Sequence, residues 1–443
     1  MPVSGPRRPT LIVLVVLIGV LLRAGIMLTA PERLLDDRDT YVGLATGIAE
    51  GRGFSIPGTT QPTAYRPVLY PLLLSIGIRW APSVWIAAVN LLAAAATIVL
   101  TWLLARRLSL DGRGPLIAAT LIAVDPLLAL YTAYPMTEMF FTALVAALLV
   151  CAFPPGQRGR PYSWRRAVAV GGLFGLAALS RPSVWAFGGL WAAMSLLHAV
   201  WRRFCHTGEQ PALRVTNWVI VAGTALLVVA PWGIRNWMLF ERPILMTTHG
   251  GYTILLGNNA AFYEEVVAQP LGTVWDGSQG PGQGAWVSRL HAEMDAAGLE
   301  TDLERDRFMS RRAWETIREH PLLFVRASLL RLLRFWNIVP SGPSAEAVPP
   351  ALRWSVGFCY AVYWLLALGG AWHALRSRDV RWWTLVLLAV SFSLVHTLYW
   401  SNARMRAPVM PAVAVLAAWT CERRTRHLLH RSIRVHANGD ERR

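Results

Sequence analysis

Apolar runs of about twenty residues recur along almost the whole chain, and they constrain its fold more than any other feature. A helix of that length crosses the roughly 30 Å hydrocarbon core of a bilayer. A core helix of a water-soluble protein would carry a polar face, and most of these runs carry none. Because 54% of the 443 residues are hydrophobic, the sequence predicts an all-α polytopic membrane protein.

The arginines between the apolar runs predict the orientation of the helices. All 43 basic residues are arginine, and they cluster in alternate loops. By the positive-inside rule, this distribution predicts that both termini lie in the cytoplasm. The predicted location of the protein is the inner (plasma) membrane. The net charge of +17 therefore reflects topology and not nucleic-acid binding. The ten predicted spans cover residues 11–30, 83–105, 115–133, 136–153, 166–180, 184–201, 216–239, 352–374, 382–400 and 407–421.

The predicted spans divide the chain into four parts. An N-terminal transmembrane catalytic core (1–240) includes the first outer loop (31–82). An extracytoplasmic segment (241–351) precedes the C-terminal helices (352–421) and a basic cytoplasmic tail (422–443). The extracytoplasmic segment is predicted to be mixed, with glycine-rich loops before an amphipathic helix over 303–335. Pro321 kinks or divides that helix, and its apolar side suits the membrane interface. The four cysteines show no paired spacing, so we predict neither a disulfide nor a zinc site.

The first outer loop begins with Asp36, Asp37 and Asp39, directly after an apolar span. If residues 36–50 form an interfacial helix, Asp37 lies one turn before Tyr41, on the apolar stripe. Asp36 then suits the N-cap, and Asp39 suits the first turn, where acids interact favourably with the helix dipole. An acid on a buried stripe is costly unless it is used or paired. Helical phase therefore selects Asp37 as the functional carboxylate.

Asp37 and Asp39 also form a D-x-D pattern, which can bind a metal ion. On a helix, side chains two residues apart diverge by roughly 200°, so both acids would not reach one ion. We therefore assign no metal ligands. A divalent metal stays open as a cofactor.

Seven short motifs resemble, in their order along the chain, the polyprenyl-phosphate-sugar-dependent glycosyltransferases of the GT-C fold. This family includes the protein O-mannosyltransferases and the lipid A aminoarabinose transferase. The motifs are DDRDTYVGLATGIAEGRGF (36–54), PTAYRPVLYPLLLS (62–75), DPLLALYTAYPMTEMFF (125–141), LSRP (179–182), PWGIRN (231–236), GGYTILLGNN (250–259) and ARMRAPVMPAVAV (403–415). The resemblance implies a GT-C-type bundle and places the catalytic acid four positions before the tyrosine of D-x-x-x-Y. Here that acid is Asp37, in agreement with helical phase.

The implied reaction takes place outside the cytoplasm, where the sugar arrives on a polyprenyl phosphate. Asp37 would take the proton of an acceptor hydroxyl or amine as it attacks the anomeric carbon, with inversion. Arginines would stabilise the charge on the departing phosphate. The acceptor is a protein, a lipid or a glycan, and the sequence does not select among them.

Arginine suits a phosphate leaving group because its planar fork binds phosphate oxygens in pairs and stays charged. The predicted topology places several arginines at outer span ends, beside the loop that carries Asp37. The candidate residues for binding donor or acceptor are Glu138, Arg66, Tyr65, Arg181, Arg235, Asp125, Asn258, Arg404 and Arg406. For Glu138, Asp125 and Asn258 the alternative roles are, respectively, a helix-start acid, a hydrogen-bonded helix break and a turn.

Two other functions fit a chain of this composition. A membrane transporter or lipid flippase would keep charged groups and broken helices at the bilayer midplane, and a non-catalytic assembly protein would recruit a partner through the extracytoplasmic segment. Only Asp125 is predicted near the midplane, whereas the other polar candidates gather at the outer interface. That distribution favours an enzyme.

Overall fold

The computed structural model describes residues 8–154, 162–204, 215–340, 348–377 and 379–423. Within these ranges all regular structure is helical, apart from an isolated bridge between Ser55 and Pro62. Parts of the predicted cytoplasmic loops, including Arg158 and Arg160, lie outside the described residues, as do Cys205 and the tail from residue 424. The fold class predicted from the sequence is confirmed, since the described part of the protein is all-α with several helices long and apolar enough to cross a membrane.

The first half of the chain comprises ten described α-helices and one 3-10 turn. They are α1 Arg8–Thr29, a 3-10 turn Pro31–Leu35, α2 Tyr41–Ala49, α3 Leu69–Ser75, α4 Pro82–Arg107, α5 Gly114–Ala123, α6 Pro126–Thr132, α7 Glu138–Ala152, α8 Trp164–Ser180, α9 Val184–Phe204 and α10 Val215–Phe240. The second half comprises α11 Gly250–Gly257, α12 Ala260–Phe262 with a π turn Tyr263–Val267, α13 Gly282–Ala296, α14 Asp302–Glu319, α15 Pro321–Phe335, α16 Pro350–Arg376, α17 Val380–Leu398, a 3-10 turn Ala403–Val409 and α18 over 410–423.

Six of the described helices are long and apolar enough to cross a membrane, namely α1, α4, α9, α10, α16 and α17. The pair α5 and α6, bent by 49° at a break, makes a seventh if it counts as one span. The predicted count of ten is therefore not confirmed. The predicted spans 136–153, 166–180 and 407–421 correspond to α7, α8 and α18.

Helices α7 and α8 are shorter than the long spans, and α7 and α18 also lie largely buried inside the bundle. Helices α7 and α8 have 15 and 17 residues, which at 1.5 Å per residue is about 22–26 Å, less than the hydrocarbon thickness. Most of α7 and all of residues 410–418 are buried inside the bundle. A helix surrounded by other helices can be apolar without matching the bilayer, and hydropathy alone does not distinguish the two cases.

The break between α5 and α6 is held by buried polar groups. Asp125 caps α6 by accepting from the amide of Leu128 at 2.9 Å, and it also accepts from the hydroxyl of Tyr360 at 2.9 Å. Arg23 of α1 is fully buried and donates to the carbonyls of Ile122 and Ala123 at 2.9 and 2.6 Å. The guanidinium thus satisfies carbonyls that the end of α5 leaves without a helical partner.

Replacing Arg23 with Met is expected to destabilise the protein by about 2–4 kcal/mol, because buried carbonyls would lose charge-assisted hydrogen bonds. Thermal unfolding of the purified protein in detergent measures the loss. Arg113→Met is the matched control, since Arg113 is exposed at the other end of α5 and its replacement should leave the midpoint unchanged. Equal midpoints for the two variants would contradict the role given to Arg23.

One end of the bundle carries residues 31–81, 241–340 and 399–409, and we call it the loop end. The first of these segments is tied to the second by main-chain and side-chain hydrogen bonds. Arg235 donates to the carbonyls of Phe54 and Thr63, each at 2.8 Å. The amide of Thr248 donates to the carbonyl of Ala64 at 2.9 Å. These bonds fix the position of the loop that bears the acidic residues.

The amphipathic helix predicted over 303–335 is present and is divided at Pro321, as predicted, into α14 and α15. A capping box of Thr301 and Glu304 begins α14. Helix α15 exposes Leu322, Leu329 and Leu333, at 84%, 59% and 58% of their surface. Such a row is typical of a helix that lies in the membrane interface, and that placement stays a prediction, as does the four-part division of the chain.

Candidate functional site

The acidic residues of the first loop lie before a helix and not within it. Helix α2 begins at Tyr41, so the helix predicted from residue 36 was wrong at its start. Thr40 has a left-handed backbone, with φ of 62°, which separates residues 36–39 from the helical phase of α2. Asp36 is not the N-cap but pairs with exposed Arg38 at 2.7 Å. The phase argument that selected Asp37 therefore does not hold.

Asp37 is half-buried, and its carboxylate accepts hydrogen bonds from backbone amides in the first turn of α2. Its Oδ1 accepts from Val42 at 2.9 Å and its Oδ2 from Gly43 at 2.8 Å, so it serves as the cap that the helix start requires. Burial raises the pKa of the Asp37 carboxyl, and the nearby charge of Asp39 adds to the rise, while the two amide bonds oppose it. Among the described residues no guanidinium forms an ion pair with Asp37. It is an oriented carboxylate with an elevated pKa.

Asp39 lies between two arginines from distant parts of the chain. Its Oδ2 is 2.8 Å from Arg404 Nη1 and its Oδ1 is 3.3 Å from Arg66 Nη2. Burial alone would raise the pKa of Asp39, but Arg404 and Arg66 outweigh it and lower the pKa to about 2. Asp39 is therefore ionised at physiological pH. The prediction that it lies in the first turn of the helix was wrong, because α2 begins only at Tyr41.

Glu138 completes the group from the start of α7. It is 2% exposed, and its Oε1 lies 3.4 Å from Arg181 Nη1 and 3.7 Å from Arg404 Nε. Burial lowers the pKa of Arg404, whereas Glu138 and Asp39 raise it, and the net effect is a rise. The arginine is therefore fixed in its charged form. We call Arg66, Arg181, Arg404, Asp39 and Glu138 the arginine cluster.

His249 extends the cluster and was not predicted from the sequence. Its Nε2 lies 3.0 Å from Arg66 Nη1, and since a guanidinium only donates, the imidazole accepts here and carries its proton on Nδ1. Burial and then Arg66 lower the pKa of His249 well below its usual value, so the ring is neutral. Tyr65 packs edge-on against it at 4.3 Å between ring centroids, and Tyr252 stacks at 5.3 Å.

Two predicted site residues have structural contacts away from the cluster. Arg235 holds the first loop through the carbonyls described above. Asn258 donates to the carbonyls of Ile254 and Leu398, each at 2.8 Å, and accepts from buried Arg331 at 3.1 Å. Both side chains therefore hydrogen-bond to groups of the protein outside the cluster.

Asp125 and Arg406 meet around one tyrosine inside the bundle. Asp125 accepts from Tyr360, as described, and Arg406 lies over the ring of Tyr360 at 4.6 Å from its centroid. Arg406 also donates to the carbonyls of Phe335, at 3.2 Å, and Asn337. Neither side chain contacts the arginine cluster, so Arg404 and Arg406, predicted as a pair, have separate surroundings.

The two carboxylates of the D-x-D pattern do not face a common site. Asp37 faces the amides of α2, whereas Asp39 faces Arg66 and Arg404. Across the part of the chain that the structure describes, there is no group of three or more His, Cys, Asp or Glu side chains arranged to hold a metal ion. The site is thus built from guanidiniums, carboxylates and one neutral imidazole.

No known protein family and no curated protein matches this sequence. Solved structures with a similar fold were found. An oligosaccharyltransferase from Archaeoglobus fulgidus in the apo form shares 16% identity with a TM-score of 0.49, over 94% of this chain and 51% of that one. The oligosaccharyltransferase AglB of that organism, in complex with an inhibitory peptide and a dolichol-phosphate, shares 16% identity at a TM-score of 0.47, over 93% and 50% of the two chains.

A third similar structure is ArnT from Cupriavidus metallidurans bound to undecaprenyl phosphate, with 13% identity and a TM-score of 0.38, over 86% of this chain and 72% of that one. This chain spans about half the length of the oligosaccharyltransferases it matches. The likeness is distant, so what the cluster does is inferred from its own geometry.

Proposed function

We propose that the protein is an integral membrane glycosyltransferase that transfers a sugar from a polyprenyl phosphate to an acceptor on the extracytoplasmic side of the membrane. The observation that supports this most is the position of Asp37, a carboxylate with a raised pKa, two residues from Asp39 at the centre of the arginine cluster. A proton acceptor beside a group of guanidiniums is what a displacement with a phosphate leaving group requires.

The arginine cluster suits the phosphate. Arg66, Arg181 and Arg404 come from three distant segments, and their side chains are only 14%, 17% and 18% exposed. Asp39 and Glu138 hold these guanidiniums in place before a ligand arrives. Donors that are already oriented need little reorganisation as charge develops on a leaving oxygen. The cluster therefore acts in the proposal as a pre-organised phosphate site.

Asp37 is the proposed general base. The acceptor oxygen or nitrogen attacks the anomeric carbon and inverts it, while the bond between that carbon and the phosphate oxygen breaks. The phosphate leaves with the bonding electrons, and the acceptor proton passes to Asp37. A raised carboxyl pKa brings the base closer to the operating pH, where proton transfer is most effective. The amides of Val42 and Gly43 fix the carboxylate and leave it further lone pairs for the acceptor.

The side of the membrane and the donor are inferred together. The arginine distribution assigns the loop end to the extracytoplasmic side, where nucleotide sugars are absent and a lipid-linked sugar is the available donor. The isoprenoid chain would lie in the bilayer beside the bundle. The acceptor is a protein, a lipid or a glycan.

The direct test uses the purified protein in liposomes with a panel of polyprenyl-phosphate sugars that differ in the sugar. Mass spectrometry follows the release of polyprenyl phosphate and the appearance of glycosylated acceptors from an envelope extract. Nucleotide sugars in place of the lipid-linked donors serve as the control and should give no product. Absence of turnover with every lipid-linked donor in the panel would argue against the proposal.

His249 is proposed to position Arg66 for the phosphate. His249→Phe is expected to raise the donor KM about tenfold, because Arg66 loses an acceptor of its hydrogen bond, with little change in kcat. His249→Gln offers an amide oxygen in place of Nε2 and should restore most of the affinity. Steady-state kinetics with varied donor measures both variants. Equal KM values for the Phe and Gln forms would remove His249 from this role.

A transporter or lipid flippase is the second candidate, favoured by the bent pair α5 and α6, since broken helices line the binding sites of many transporters. In this chain Asp125 at the break caps α6 and accepts a hydrogen bond from Tyr360, so its carboxylate already has partners within the protein. The same liposomes report on this function, because movement of a labelled lipid-linked sugar between leaflets without turnover would support it.

A further inference from the structure

We propose that Asp39 and Glu138 set the net charge of the arginine cluster so that it prefers a singly charged phosphodiester to a doubly charged phosphomonoester. The inference rests on the proposed function and states which charge form of the phosphate ligand the site selects. The donor, in which phosphate joins a sugar to the lipid, is a diester with one negative charge. The product is a monoester, and above its second pKa of about 6 it carries nearly two.

The charges of the cluster favour the singly charged ligand. Three guanidiniums face two carboxylates, which leaves one positive charge in the cluster. Asp39 is held ionised by its two arginines, which lower its pKa to about 2. Asp37 lies two residues from Asp39 along the chain, and its carboxylate accepts from the amide end of α2 and not from the cluster arginines. A phosphodiester neutralises the remaining charge, whereas a monoester dianion exceeds it.

Asp39 also occupies the place where a phosphate oxygen would bind. One of its oxygens faces Arg404 at 2.8 Å and the other faces Arg66 at 3.3 Å, which is the arrangement of a bridging anion. A ligand phosphate must share these donors with Asp39. This competition weakens the binding of the dianion more than that of the monoanion, because binding of the dianion depends more strongly on the positive charge that Asp39 cancels. The consequence for turnover is easier release of the product.

The test compares two short lipids that differ by one charge, farnesyl phosphate and farnesyl methyl phosphate. Their dissociation constants are measured at pH 8 by calorimetry on the full-length protein in detergent. For Asp39→Asn, the affinity for the monoester relative to the diester is expected to rise about tenfold, as one negative charge is removed at short range. Glu138→Gln should shift the ratio in the same direction. Arg66→Gln removes a positive charge and should shift it the opposite way.

Asp36→Asn is the matched control, because it removes the same charge from the same loop outside the cluster, where Asp36 pairs with exposed Arg38. Its ratio should equal that of the wild type. An unchanged ratio in the Asp39, Glu138 and Arg66 variants, with both lipids still bound, overturns the inference and leaves the proposed function intact. Failure of the wild-type protein to bind either lipid overturns both. Thermal unfolding confirms that each variant is folded before its ratio is used.

Discussion

Asp37→Asn is expected to reduce glycosyl transfer about a hundred- to ten-thousandfold while the protein keeps its fold. A positioned general base contributes on the order of 10²–10⁴ to a rate, and asparagine takes no proton at neutral pH. Its amide oxygen still accepts from one of the two α2 amides that Asp37 caps, so the loss of stability should be small. Single-turnover transfer at saturating donor measures the chemical step directly.

The controls for this prediction are on the same loop. Asp39→Asn should retain far more transfer than Asp37→Asn, and Asp36→Asn should match the wild type. The pH profile gives a second readout. The base works when deprotonated, so the rate should fall as the pH drops through the Asp37 pKa, which burial raises above the usual 3.8. Wild-type rates in the Asp37→Asn form would rule out the assignment.

The sequence drew attention to the acidic residues of the first loop but did not predict the geometry of their carboxylates. Phase on a helix from residue 36 separated Asp37 from Asp39, whereas in the structure the left-handed Thr40 leaves both acids before α2, which begins at Tyr41. The two carboxylates are distinguished by their partners, the α2 amides for Asp37 and two arginines for Asp39. Threonine has no strong preference for that backbone conformation, so no local pattern announces it. The role of Asp39 depends on Arg404, 365 positions away, and no spacing rule predicts such a contact.

The contacts of the arginines could likewise be predicted from the sequence only in part. Topology predicted that Arg66, Arg181, Arg235, Arg404 and Arg406 lie at one membrane level, and Arg66, Arg181 and Arg404 do converge on Asp39 and Glu138. The other two donate to main-chain carbonyls, whose positions depend on the packing of complete helices. Hydropathy likewise identified the apolar segments but did not distinguish long spans from short buried helices such as α7.

Arg404→Ala is expected to raise the donor KM roughly thirty- to hundredfold, the loss expected for a charge-assisted hydrogen bond to phosphate. Arg404 is the side chain that reaches both carboxylates of the cluster, with Nη1 at 2.8 Å from Asp39 and Nε at 3.7 Å from Glu138. Asp39 keeps Arg66 and Glu138 keeps Arg181, so the variant should fold. Steady-state kinetics with varied lipid-linked donor gives KM and kcat separately.

Two variants separate charge, geometry and stability in this prediction. Arg404→Lys keeps the charge but has a single ammonium in place of the planar fork, so it should recover only part of the donor affinity. Arg406→Ala is expected to change stability and not donor binding, because Arg406 donates to the carbonyls of Phe335 and Asn337 and contacts no cluster residue. Its unfolding temperature should fall, while the folded fraction keeps the wild-type KM. If Arg404→Ala leaves the donor KM unchanged, or Arg406→Ala raises it equally, Arg404 does not bind the phosphate.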